Sequence, residues 1–227
     1  MQTTINIPES LEELTLGQYQ EFLEKSEGLE GYKLAQCTVE VFCSLPRVSV
    51  LKISLIDITS ITAHINELFK EEQPLSLKFN IKSQKFGFIN DIENMSLGEY
   101  SDLDSYISDW SNMHRAMAVL YRPIINEFKD KYTITDYNGT DEFAELMRFM
   151  PLNVAFGSLV FFYHLGNELL KATRSYLVEE TLEMILEQQH SLAKNGDGIT
   201  VSTHSLRETL EDLTKLPDFQ FTQPSLS

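Results

Sequence analysis

A six-residue segment occurs twice in this chain. Leu14-Thr15-Leu16-Gly17-Gln18-Tyr19 returns 81 positions later as Met95-Ser96-Leu97-Gly98-Glu99-Tyr100. Each copy is a complete helix start. The hydroxyl of Thr15 or Ser96 can accept a bond from an orphan backbone N–H. Gln18 or Glu99, three residues on, can reach back to the cap's own N–H, which closes a capping box. Leu14 and Met95 precede the cap, and Tyr19 and Tyr100 follow at the fourth helical position, the spacing of a hydrophobic staple. Two helices are therefore expected to begin at these points. The contexts also run in parallel: an amphipathic helix, an apolar helix, then Pro46 or Pro123. Duplication of a helical hairpin explains this, as does convergence on a common cap.

The rest of the chain reads as helix with a small β component. Thr3 to Ile7 alternates like a short strand. The first capped helix runs to about Lys25, and Gly28 and Gly31 mark the turn after it. A second apolar helix over 32–45 stops at Pro46. Residues 48–56 are β-branched and ambiguous, and Asp57 to Ser60 opens a helix ending near Lys70. Leu75, Leu77, Phe79 and Ile81 alternate with polar residues, a period-two strand. With a turn at 82–85 and a return strand from Phe86 to Ile89, this predicts a β-hairpin at 75–89. The second capped helix carries Tyr100, Leu103, Tyr106, Ile107 and Trp110 as a stripe. An apolar helix from Met113 to Leu120 is broken by Tyr121-Arg122-Pro123, and Arg122 there suits the last helical carbonyls or an acidic neighbour. Lys131 to Tyr137 reads as a strand, Asn138-Gly139 as a turn, and Thr140 as the cap of a new helix in a helical region over 141–192 that Met150-Pro151 divides. In that region Gly157 and Gly166 let another backbone approach closely.

This predicts an α+β chain: two helical hairpins and a β-hairpin. Its regions are 1–74, 75–194 and 195–227, the last holding an acidic helix and an extended aromatic tail. Phe219 and Phe221 of that tail are candidate partner-binding residues.

Charge narrows the partners. The 227 residues carry 34 Asp and Glu against 18 Lys and Arg, a net charge of −16. Such a surface repels phosphate backbones and anionic membranes, so neither nucleic acid nor membrane is expected as a partner. Met1-Gln2-Thr3-Thr4-Ile5 lacks the basic and apolar regions of a signal peptide. The most apolar run, Phe149 to Leu165, is interrupted by Pro151, Asn153 and His164. It falls short of the roughly 20 residues of a membrane span, and reads as a core helix. Cys37 and Cys43 have neither redox nor metal spacing and read as buried free thiols in a reducing compartment.

Candidate chemistry is sparse. His64, His114, His164, His190 and His204 include no pair at helical zinc spacing. His114-Arg115, near Trp110 and Tyr121, could line a groove. Asp102, Asp104 and Asp109, and Glu179, Glu180, Glu183 and Glu187, fall on solvated helix faces without a calcium-loop pattern. No phosphate-binding glycine loop or nucleophile elbow is present. No catalytic residue, cofactor or metal is expected.

The block from Phe86 to Leu177 resembles a family encoded among the neck and tail genes of tailed bacteriophages, notably phages of marine bacteria and Bacteroidetes. The residues that carry the resemblance begin with Met95-Ser96-Leu97-Gly98-Glu99-Tyr100, Asp102-Leu103 and Asp109-Trp110. They continue with Ala116-Met117-Ala118-Val119-Leu120-Tyr121-Arg122-Pro123-Ile124, Lys131-Tyr132 and Tyr137-Asn138-Gly139-Thr140. Phe161-Phe162-Tyr163 and Leu169-Leu170 complete the set. The resemblance implies a non-enzymatic role in virion assembly. A tail assembly chaperone in the host cytoplasm would shield the apolar helices of the tape-measure protein. A ring or connector subunit would stay in the virion, bound to neck or tail subunits or to copies of itself. A hydrolase acting on phage DNA is the remaining alternative, disfavoured by charge and by the missing motifs.

Overall fold

The computed structural model describes residues 5–162 apart from Glu93 and Asp130, together with His164 and Leu165. The chain divides into two compact units, Met1–Phe161 and Phe162–Ser227. In the second, the described residues Phe162, His164 and Leu165 are helical.

The first unit is α+β, as expected. Its elements are α1 (Leu16–Ser26), α2 (Gly31–Phe42), α3 (Arg47–Val50), α4 (Leu55–Leu68), β1 (Lys78–Ile81), β2 (Gln84–Phe88), α5 (Leu97–Tyr106), α6 (Met113–Leu120), β3 (Tyr121–Phe128), β4 (Lys131–Ile134) and α7 (Ala144–Met147). Helix α8 follows over 152–161. The strands form one antiparallel sheet in the order β1-β2-β3-β4. Phe79 stands opposite Phe86, and Phe88 opposite Tyr121.

Both helix starts form capping boxes. Gln18 N–H donates to the Thr15 hydroxyl at 3.2 Å, and Thr15 N–H to Gln18 Oε1 at 2.9 Å. Glu99 N–H and the Ser96 hydroxyl, and Ser96 N–H and Glu99 Oε2, repeat the pattern at 3.2 and 2.7 Å. Thr15→Ala and Ser96→Ala should each lower stability by about 1 kcal/mol, read as a shifted urea midpoint. Two unmoved midpoints would show that the boxes contribute nothing.

Several elements depart from expectation. Residues Ile5 to Ile7 are not a strand, and residues 1–4 lie outside the described part. Helix α2 ends at Phe42, before Pro46, because Ser44 takes the left-handed conformation (φ 50°). The ambiguous stretch forms the short α3, and α4 is capped by Ser54, not from Asp57 onward. The Ser54 hydroxyl accepts from Asp57 N–H and donates to the Asp57 carboxylate, so Asp57 belongs to the first turn. Strand β1 starts only at Lys78, which leaves Leu77 53 % exposed. Helix α5 ends at Tyr106, with Tyr100 exposed and Trp110 opening a separate 3-10 turn, so the expected stripe is interrupted.

Two corrections have clear causes. Tyr121-Arg122-Pro123 does not simply break α6 but starts β3 without a linker. The residue before a proline is steered to extended backbone, and Tyr121 is already extended (φ −124°, ψ 124°). Pro123 still contributes its carbonyl, which accepts from Thr135 N–H at 3.0 Å. Thr140 does not cap a helix. It is buried, its hydroxyl accepts from Arg115 at 3.3 Å, and its carbonyl closes a turn onto Phe143 and Ala144. Only the four-residue α7 follows before Pro151 intervenes.

The core is continuous between helices and sheet. Leu14, Leu16, Val39, Ile65, Phe86, Met113, Met117, Leu120, Tyr121, Met147, Met150 and Leu152 are fully buried. Tyr19, Trp110, Phe69 and Phe156 form an aromatic cluster, with Tyr19 edge-on to Trp110 at 4.8 Å and to Phe156 at 5.3 Å. Edge-to-face contact sets the positive rim of one ring against the negative face of another.

Candidate functional site

The two capping boxes do more than start helices. In the first, Gln18 Nε2 donates to the Val41 carbonyl and to the Ser44 hydroxyl, both at 3.2 Å, and so ties the start of α1 to the end of α2. In the second, Glu99 Oε1 receives Arg122 at 2.7 Å and ties the start of α5 to the start of β3, directly after α6. The tie spans 23 residues in each case. One is neutral, and the other is a buried ion pair. Arg122 thus takes the acidic neighbour that the sequence left open to it. Its guanidinium also lies over the Tyr137 ring at 5.7 Å, and Tyr137 donates its hydroxyl proton to Asp102. Burial and that carboxylate push the Tyr137 pKa upward.

A polar junction joins α1, α6 and α7. Arg148 donates to Gln20 Oε1 at 3.2 Å, which orients the amide. Gln20 Nε2 then faces the Trp110 and Ser111 carbonyls at 2.8 and 3.1 Å, and His114 Nδ1 at 3.0 Å. His114 Nε2 lies 3.4 Å from the Arg148 guanidinium, which can only donate, and 3.7 Å from the Glu145 carboxylate. His114 is 3 % exposed, so it does not line an open groove. Arg115 beside it points outward to Asp141 at 2.8 Å. Burial and then the Arg148 guanidinium pull the His114 pKa below 6.5, against the opposing pull of Glu145.

The sign of the pH effect follows. A histidine held neutral in the folded state contributes stability above its unfolded pKa, and that contribution fades as pH falls through about 6.5. Wild-type protein should lose more thermal stability than His114→Gln between pH 7.5 and 5.5. Parallel melting curves for the two proteins would refute the assignment.

The other candidates separate. Asp109 caps the 3-10 turn: it accepts from Ser111 N–H at 2.9 Å, from the Ser111 hydroxyl, and from Asn112 at 2.8 Å, and these bonds hold its pKa down. Asp102 is taken by Tyr137, and Asp104 is exposed. Among the described residues, no group of three or more His, Cys, Asp and Glu could hold a metal ion, and no helix is long and apolar enough to cross a membrane. Cys37 and Cys43 are buried free thiols, their pKa values raised by burial. Glu179, Glu180, Glu183, Glu187, Gly166, Phe219 and Phe221 lie outside the described residues.

One surface feature was not anticipated. Across α3 and the start of α4, Val48, Leu51, Leu55 and Ile56 are 66 %, 66 %, 70 % and 82 % exposed. Arg47 and Lys52 border them, both exposed and, among the described residues, in no ion pair. The only hint in the sequence was that 48–56 fitted no element cleanly. Contiguous apolar exposure of this kind marks an interaction surface.

A scan against protein-family models found no match, and searches of curated proteins and of solved structures found none either.

Proposed function

We propose that this protein is a non-enzymatic bacteriophage tail assembly protein that acts as a tail assembly chaperone in the host cytoplasm. The observation that carries this reading is the exposed strip of Val48, Leu51, Leu55 and Ile56. A chain with a net charge of −16 stays soluble by self-repulsion while presenting that strip to apolar helices. The resemblance of residues 86–177 to neck and tail gene products points to the tape-measure protein as the client. Binding would cover the client's apolar face until the tail tube encloses it.

Mass spectrometry of purified virions, with pull-down from infected cells, tests the reading. The chaperone should be absent from mature particles and co-purify with the tape-measure protein, and Leu55→Glu with Ile56→Glu should abolish that co-purification. Abundant peptides in finished particles at a fixed copy number would replace the chaperone by a ring or connector subunit.

A further inference from the structure

We propose that the N-terminal face of α5 is a second docking site, left open by the described residues. It fits a partner-protein segment built like residues 147–152, in which a basic residue in a closing helical turn precedes an apolar-proline-apolar run. The occupied form of the same site is present in the first half of the chain. There the N–H groups of Leu16 and Gly17 donate to the carbonyls of Met150 and Arg148 at 2.9 and 2.7 Å, and Leu152 N–H donates to the Leu14 carbonyl at 2.8 Å. Thr15 and Pro151 form a β-bridge. Leu16 is fully buried by this contact. Gly17 is required, since a Cβ there would lie 2.9 Å from the Arg148 carbonyl oxygen.

At the same offset, α5 presents the same Leu-Gly-x-Tyr set, and among the described residues only the Tyr137 ring approaches it. Leu97 is 84 % exposed and Tyr100 61 % exposed. Among the described residues, no acceptor meets the N–H of Leu97 or Gly98. A Cβ on Gly98 would come no nearer than 3.8 Å to the Tyr137 ring, which forms one wall of the open face. The inner faces of the two hairpins agree, with Phe22 and Leu103 both buried.

Charge specifies the occupant. Between Asp91 and Asn112 the chain carries six acidic residues and no Lys or Arg. Glu99 is neutralised by Arg122, but Asp104 is free of ion pairs and lies one turn beyond Tyr100 on the same side of the helix. The internal occupant carries Arg148, which donates to Gln20 of the receiving helix and pairs with Glu145 of its own segment. A basic segment therefore suits the open copy as well.

The test uses the full chain and a synthetic peptide of residues 146–153 (Leu-Met-Arg-Phe-Met-Pro-Leu-Asn), titrated to about 1 mM and followed by backbone amide NMR. Shifts should concentrate at Leu97, Gly98 and Tyr100. Gly98→Ala should leave the unfolding midpoint intact yet weaken binding at least about tenfold, because its Cβ takes the space of the incoming carbonyl. Exchanging the peptide's arginine for glutamate should weaken binding as well. Absent shifts, shifts centred elsewhere, or undiminished binding to Gly98→Ala would overturn the proposal. So would concentration-dependent shifts of the same amides without peptide, which would assign the face to a second copy of the chain.

Discussion

Arg122→Met should lower the stability of the protein by about 3 kcal/mol, more than most single changes to a protein of this kind. Arg122 and Glu99 pair at 2.7 Å, with each side chain only 9 % exposed. Removing the guanidinium strands a carboxylate in a site that is 9 % exposed to water. The cost comes from that stranded charge more than from the lost attraction. Glu99→Gln in the same background should therefore recover at least half of the loss, since glutamine carries no charge and can still complete the capping box, as Gln18 does. Urea denaturation of the two variants decides the matter. A loss below about 1 kcal/mol for Arg122→Met would place the pair in the class of surface salt bridges.

Gly157→Ala should be about as damaging. A Cβ on this α8 glycine would lie 2.3 Å from the Pro74 carbonyl oxygen and 2.9 Å from its carbon. These are backbone atoms, so no rotamer change relieves the clash, and the strand-entry segment 73–77 must shift. Overpacking of this kind costs about 3 kcal/mol at its upper range. The helical preference of alanine over glycine returns at most about 1 kcal/mol. Net destabilisation by about 2 kcal/mol is the expected result, measured by chemical denaturation. A stability equal to wild type would mean that α8 and the 73–74 segment slide apart freely.

That close approach was legible in the sequence, because a glycine inside an otherwise bulky apolar run has few other uses. The capping boxes were legible for a similar reason: their chemistry is local and closes within four residues. The β-hairpin was found by its alternation, but its first residues were assigned too early, since Leu75 keeps the period without pairing and Leu77 contributes only its carbonyl, which accepts from Phe88 N–H at 2.9 Å. The β3 strand was missed because its identity is set by pairing with β2, 35 residues away, while the local signal is a proline after a helix. Thr140 was misread because a threonine followed by acidic residues is an equally good turn when Arg115 claims its hydroxyl. Of the candidate surfaces, the α3–α4 strip left only a negative trace, a stretch that fitted no pattern. The Gln20–His114–Arg148 junction left less: its members are dispersed over more than 120 residues, and only a glutamine on the buried side of α1 hinted at it.

The direct passage from α6 into β3 bears on how this protein can vary in length. Leu120 is the last helical residue and Tyr121 the first of the strand, both fully buried. One inserted residue there would turn the helix by about 100° relative to its neighbours, or flip every strand residue to the opposite face of the sheet. No loop exists to absorb the phase error. Insertions and deletions should therefore be purged from 113–123 in any population of related genes, while the turn at 27–30 and the segment 90–95 accept them.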